Sequence, residues 1–183
     1  ASIFSKAKLD PTIINGGVIN SLDNSAKLGK SEWSVLESDE SDGSFIKVPS
    51  TYAVVTNIDR EHMDYYKSMD KLLKLFVEYI NRVPSFGKSF ICIDDKNNAK
   101  LIKSLKIKNY NTYGIHKKSN FCIIKPFQTK LWSKFDLVVN LPGKKTFTIN
   151  NIKIPLIGLH NIRNTTASIA VAISLGIPIN KIK

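Results

Sequence analysis

A mostly parallel central sheet flanked by helices, an α/β fold with a small antiparallel β appendage, is what this sequence predicts, and three observations predict it. Short continuous apolar runs at 52–56 (YAVVT) and 90–93 (FICI) have the composition of strands buried on both faces. Segments of helical period follow them, so strand and helix alternate. Beyond Phe121 the rhythm changes to short strands separated by turn signals.

Taken in order, residues 2–7 read as the tail of a helix that stops at Asp10-Pro11, because proline discourages continuation. The chain opens in mid-pattern, and a preceding segment is expected. Thr12, Ile13 and Ile14 form a β-branched run ending in a turn signal, Asn15-Gly16-Gly17, where glycine allows close backbone approach to a ligand. Residues 33–36 read as another strand buried on both faces. Leu72, Leu73, Leu75, Phe76, Tyr79 and Ile80 recur at helical spacing behind an N-cap at Ser68. Asp94 or Asp95 caps a helix through Leu101 and Leu105, and residues 110–113 supply the next strand before Gly114. Short strands are then expected at 121–125, 135–139, 147–149 and 152–154, with turns at Pro142-Gly143 and Asn150-Asn151. A last helix runs through Ile162 and Ile173 and is closed by Gly176 and Pro178.

At 183 residues, 43% hydrophobic and 23% charged, the chain suits one domain with its own core. No apolar stretch approaches a membrane span, and no signal peptide opens the chain, so membrane insertion is not expected. Cys92 and Cys122 fit no metal-ligand spacing and are expected to be reduced, in a cytoplasmic setting. The net charge of +12 favours polyanionic partners without choosing among them. Its lysines are scattered without aromatic interleaving, which argues against nucleic acid.

Chemistry concentrates in three places. The acidic run Glu37-Ser38-Asp39-Glu40-Ser41-Asp42-Gly43 follows a strand, where hard oxygen ligands suit Mg²⁺ held with substrate phosphates; a solvated turn capping a following helix reads equally well. The second strand end, Asn57-Ile58-Asp59-Arg60-Glu61-His62-Met63-Asp64, offers His62 as a metal ligand, a phosphate contact or a helix-start histidine. In Gly158-Leu159-His160-Asn161-Ile162-Arg163-Asn164, Asn161 and Asn164 share a helical face, suited to an adenine edge or to ordinary capping. A phosphate-binding G-x-x-x-x-G-K-[ST] loop is absent. Gly29-Lys30-Ser31 and Gly87-Lys88-Ser89 match only its end, with Asn24 and Arg82 where the first glycine belongs, and both read as surface turns.

In order and spacing, these motifs resemble the Mur ligase family, and within it the ligases that add L-alanine to UDP-N-acetylmuramate. Leu9-Asp10-Pro11-Thr12, Val83-Pro84-Ser85-Phe86-Gly87 and the whole His160-Asn161-Ile162-Arg163-Asn164 motif extend the match over essentially residues 1–183. The resemblance implies a P-loop NTPase-like central domain of a cytoplasmic peptidoglycan-synthesis enzyme that uses ATP and Mg²⁺. It implies that Glu37 and His62 are catalytic metal ligands, that His160, Asn161 and Asn164 contact the adenine, and that Asn15, Gly16 and Gly17 lie near the sugar-nucleotide substrate. Asp39, Glu40 and Asp42 would support them.

The family's Gly-Thr-His-Gly-Lys-Thr-Thr loop and its two outer domains, one gripping UDP and one closing over ATP, are not in this sequence, so the isolated chain is expected to be inactive. Ile157-Gly158-Leu159 also departs from the usual Pro-Gly-Arg. The competing readings are another Mur-type amide ligase and a noncatalytic basic module that binds anions.

Overall fold

The computed structural model describes residues 1–19 and 22–182. Its main body is a six-stranded sheet in the order β4-β5-β6-β7-β8-β9, built from Tyr52–Val55, Lys88–Cys92, Tyr110–Gly114, Phe121–Gln128, Ser133–Val139 and Phe147–Ile154. Pairing is parallel from β4 to β7 and antiparallel from β7 to β9. The antiparallel strands therefore extend the parallel sheet instead of standing apart from it. A second sheet, β2-β1-β3, comprises Asn24–Lys27, Thr12–Ile19 and Ser34–Leu36.

Helices cover both faces of the parallel part, as βαβ connections require. On one face α5 (Leu159–Ser174) packs Ile162, Ile169 and Ala170 against Phe90, Tyr113 and Phe121. On the other, α3 (Met69–Asn81) and α4 (Lys96–Ile102) pack Leu72, Phe76, Ile80 and Leu101 against Val55 and Ile91. Successive residues Phe90 and Ile91 thus serve opposite cores, the period-two alternation of a strand buried on both sides. The expected caps are present: Ser68 accepts the Lys71 N–H, and Asp95, not Asp94, accepts the Asn98 N–H. Gly176 ends α5 with φ +75°, as a C-terminal glycine should.

Four local expectations are corrected. Asn15-Gly16-Gly17 is not a turn: β1 runs on through it to Ile19, because pairing with β2 carries the backbone across an irregular register between Ile14 and Ile19. Residues 33–36 are not buried on both faces, since β3 packs only one side, through Trp33 and Val35 against Phe4 and Ala172, and leaves Leu36 exposed. Lys88 and Ser89 are not a surface turn but open β5, with Ser89 fully buried. Asn150-Asn151 is a bulge within the single strand β9. There Asn151, at φ +61°, donates its N–H to Asp136 on β8 at 2.8 Å.

Short elements complete the chain: α1 (Ser2–Lys6), a 3-10 turn at Ser44–Lys47, α2 (Met63–Tyr66) and α6 (Ile179–Ile182). The sheets approach where Trp33, before β3, meets Tyr52 of β4, with ring centroids 6.0 Å apart. Among the described residues no helix is long and apolar enough to cross a membrane. Both cysteines are free and buried, and burial pushes their thiols up, away from reactive thiolate.

Candidate active site

The carboxyl ends of parallel strands are where open α/β sheets leave a crevice, and here the ends of β4, β5 and β6 meet the first turn of α5. Together they line a cleft of ≈ 300 Å³ with Thr56, Asn57, Asp59, Cys92, Asp94, Asp95, Tyr113, His160, Arg163 and Asn164. Buried side chains hold this geometry. Asn98, in the first turn of α4, donates to the carbonyls of Thr56 (3.1 Å) and Cys92 (3.0 Å), clamping β4 to β5. The amide of neighbouring Asn97 holds the Ile58 carbonyl at 2.7 Å. Tyr113 reaches across β5 to donate its hydroxyl to Val55 at 3.2 Å, and burial pushes its phenol up so that it stays a donor.

The loop after β4 has a second role. Beyond Asn57, whose amide donates to Asp59 at 2.7 Å, it presents Glu61 and His62 to Glu40 of the acidic run. Donor atoms of Glu40, Glu61 and His62 lie within 4.8 Å of one another. His62 adopts a left-handed conformation (φ 54°), and its carbonyl accepts the N–H groups of Tyr65 and Tyr66, both at 3.0 Å, which starts α2.

Tyr66 then ties the two motifs together. Its ring is fully buried in the α3 core and its hydroxyl donates to the Glu40 carbonyl. Burial, followed by the charge of Glu40, pushes this phenol up to about 12, so it remains protonated and donating at neutral pH. Asp39 accepts the Ser41 hydroxyl (2.7 Å) and N–H (3.1 Å), which hold it below the usual carboxylate range. Ser44, the first residue of the 3-10 turn, does the same for Asp42. Both readings of the acidic run coexist: Asp39 and Asp42 organise the turn, and Glu40 faces outward to His62 and Glu61.

Several residues singled out in the sequence are thus brought together. His160 and Asn164 line the cleft, whereas the Asn161 amide is turned back to the segment before α5, donating to the Ile157 carbonyl at 2.8 Å. Glu37 stands outside the Glu40-Glu61-His62 group and accepts the Gly16 N–H at 2.9 Å. Asn15 closes a ring of its own with the Gly17 carbonyl at 2.9 Å. Asn15, Gly16 and Glu37 therefore lie together at the end of the β1–β3 pairing, linked to the acidic run through Glu37.

Asn98, Tyr66, Arg163 and the non-capping role of Asp94 were not singled out. Asp94 carried a visible signal as a carboxylate at the end of a buried strand, and Arg163 by lying within the His160–Asn164 motif.

The family model for the Mur ligase middle domain matches residues 17–172. A UDP-N-acetylmuramate–L-alanine ligase of Pelagibacter ubique is 67% identical over 183 residues, which is all of this chain and 39% of that protein. One from Paramagnetospirillum magneticum is 41% identical over 185 residues, with the same coverage. The fold is shared with the UDP-N-acetylmuramate-alanine ligase MurC of Thermotoga maritima (23% identity, TM-score 0.78, 99% of this chain and 39% of that one). It is also shared with the UDP-N-acetylmuramate:L-alanyl-gamma-D-glutamyl-meso-diaminopimelate ligase of Neisseria meningitides (22% identity, TM-score 0.83, 100% of this chain and 58% of that one). The chain spans 39% of the length of the curated relatives it matches. A family match across most of the sequence, together with a strand-end cleft on the shared fold, establishes that this chain belongs to the Mur ligase family and carries its middle domain.

Proposed function

We propose that this domain serves an ATP-dependent amide ligase that joins L-alanine to the lactyl carboxylate of UDP-N-acetylmuramate. The observation that carries the reading is that one loop serves two sites. The segment after β4 gives Asn57 and Asp59 to the cleft, and Glu61 and His62 to the group completed by Glu40. A nucleotide needs both, a cleft for its nucleoside end and a cation beside its phosphates. The choice of L-alanine is supported by the names of the relatives at 67% and 41% identity.

In this reading a carboxylate oxygen of UDP-N-acetylmuramate attacks the γ-phosphorus of ATP, the bond to the β-phosphate oxygen breaks, and ADP leaves. The amine of L-alanine then attacks the acyl phosphate carbon. The tetrahedral adduct expels inorganic phosphate, and the nitrogen gives up a proton to yield the amide.

Two carboxylates and an imidazole within 4.8 Å are a donor set that fits a divalent cation shared with phosphate oxygens. Mg²⁺, when bound, supplies neutralisation of the charge carried by the transferring phosphoryl group. His62, Glu40 and Glu61 would hold it. Glu37, the glutamate that the resemblance favours as a metal ligand, lies outside this group and keeps one oxygen on the Gly16 N–H. His160 and Asn164 meet the adenine from the cleft wall, and Asn161, with one amide N–H spent on the Ile157 carbonyl, keeps its side-chain oxygen and second N–H for it. Asn15, Gly16 and Gly17 lie on the side of the sugar-nucleotide substrate. Grip on UDP and closure over ATP come from the parts of the relatives' length that this chain does not span.

An ADP-release assay on the complete protein carrying this domain tests the reading, with UDP-N-acetylmuramate, Mg²⁺ and, in turn, L-alanine, glycine, L-serine or D-glutamate. L-alanine is expected to drive release fastest. Release with none of them, or preferentially with D-glutamate, overturns the assignment.

A further inference from the structure

Asp94 is the most heavily engaged carboxylate of the cleft. It stands just past β5 with its side chain only 6% exposed. Both of its oxygens lie 3.0 Å from the Ile115 N–H, one also accepts the His116 N–H at 3.1 Å, and the other accepts Nε of Arg163 at 2.7 Å. The loop after β6 is shaped around this carboxylate. Gly114 has φ +144°, and a Cβ there would lie 2.5 Å from Asp94 Oδ1, so only glycine lets the loop close on it.

Three segments distant in sequence therefore converge on one carboxylate: the end of β5, the turn after β6 and the first turn of α5. Only the last can shift without breaking the sheet, and Arg163 is its tether. Arg163 lies three residues after His160 and next to Asn164, both of which line the cleft. Among the described residues its two terminal amino groups have no protein acceptor. It also stands between the cleft and an adjoining open groove lined by His116, Lys117 and Lys118.

We infer that the Arg163–Asp94 pair is a positioning device for nucleotide recognition, which fixes the first turn of α5 on the end of β5 so that His160 and Asn164 face the cleft. The inference rests on the nucleotide reading given above. It assigns to Arg163 a task separate from the group around His62: Arg163 governs affinity for the nucleotide and leaves the chemical step to the opposite rim. A planar guanidinium using its Nε edge orients more strictly than a lysine can, because its direction is fixed by the fork. A charge-assisted hydrogen bond to a nearly buried carboxylate is the stronger kind, and its loss leaves that carboxylate short of a donor.

The test uses the complete protein with ATP varied at saturating L-alanine and UDP-N-acetylmuramate, comparing wild type with Arg163→Met, Arg163→Lys, Asp94→Asn and the double variant Asp94→Asn/Arg163→Met. Arg163→Met is expected to raise KM for ATP about tenfold, the size of one charge-assisted bond lost from a half-buried site. Turnover and KM for L-alanine should move by less than about threefold, as expected when binding of one substrate is lost selectively. Arg163→Lys should recover part of the loss. The double variant should be no worse than the poorer single one, because both remove the same interaction.

An unchanged KM for ATP in Arg163→Met overturns the inference. So does an equal loss in turnover and in KM for all three substrates, which is what general loosening produces. If Asp94→Asn does not fold, the two Arg163 variants still decide the matter. Wild-type protein that turns over without ATP overturns the nucleotide reading and this inference with it, whereas normal wild-type turnover with a flat response to Arg163→Met removes this inference alone.

Discussion

The two sides of the strand ends use the same residue type to opposite effect. At the acidic rim, Glu61 is exposed and Glu40 half-buried, and their carboxylate oxygens are gathered beside His62 with no protein cation to balance them among the described residues. Across the cleft Asp94 is nearly buried, and its oxygens are taken up by two backbone N–H groups and the Arg163 guanidinium. A carboxylate already satisfied by protein donors has little left for a metal, while converging carboxylates short of donors gain by accepting one. The difference teaches that acidity alone does not locate a cation site; unspent lone pairs do.

Breaking the rim should have the largest effect. His62→Ala and Glu61→Gln are each expected to reduce ADP release by the complete protein by about a hundredfold or more, since loss even of groups that only support metal ligands costs roughly 10–100-fold. Activity within a few-fold of wild type in both would move the cation site elsewhere.

Next comes the clamp on the cleft side. Asn98→Ala removes the donor shared by the Thr56 and Cys92 carbonyls, and each buried carbonyl left without a partner costs about 1–3 kcal/mol. Denaturant unfolding should therefore show a loss of a few kcal/mol. A smaller loss, under about 1 kcal/mol, would mean that water replaces the amide.

Tyr66→Phe sharpens the comparison from the rim side. It keeps the buried ring and deletes one hydroxyl, so the expected loss of stability is only about 1 kcal/mol. Affinity for Mn²⁺ should fall alongside, because the Glu40 backbone is released. Unchanged Mn²⁺ affinity would show that Glu40 is held without Tyr66.

The smallest effect serves as a control remote from both sides. Asp136 is held below the usual carboxylate range first by the Asn151 N–H and then by Lys125, whose ammonium is 3.3 Å away. Its contribution is complete above the unfolded value of about 3.9 and is lost as pH falls through the lower folded value. Asp136→Asn should therefore cost stability near about pH 6 but hardly any once the pH has fallen below the folded value, where the wild-type group is protonated as well. An equal cost at both pH values would show that the carboxylate charge is not what the bulge uses.

Much of this fold was legible because its signals are local. The helix behind Ser68, the Asp95 cap and the Gly176 stop each depend on residues a few positions apart. β1 was cut short for the complementary reason: Asn15-Gly16-Gly17 has the composition of a turn, and only pairing with β2 keeps it extended. β3 looked doubly buried because an apolar run does not reveal how many of its faces are covered. At the candidate site, His62, His160 and Asn164 were singled out from their motifs, and the structure places His62 beside Glu40 and Glu61 and the other two in the cleft. Tyr66 and Asn98 were not, because a tyrosine in a core and an amide in a first helical turn are ordinary until their partners, 26 and 42 residues away, are known. Glu40 looked subordinate to Glu37 in sequence, and only the approach of the loop after β4 distinguishes them.

The most direct test of the contrast between the two sides is Mn²⁺ binding by this chain, followed through the electron paramagnetic resonance signal of free Mn²⁺, in wild type, His62→Ala and Asp94→Asn. The account predicts that His62→Ala weakens binding by about tenfold or more while Asp94→Asn leaves it within about twofold. Equal weakening by both, or loss with Asp94→Asn alone, would contradict it by placing the cation at Asp94, both of whose oxygens are already engaged.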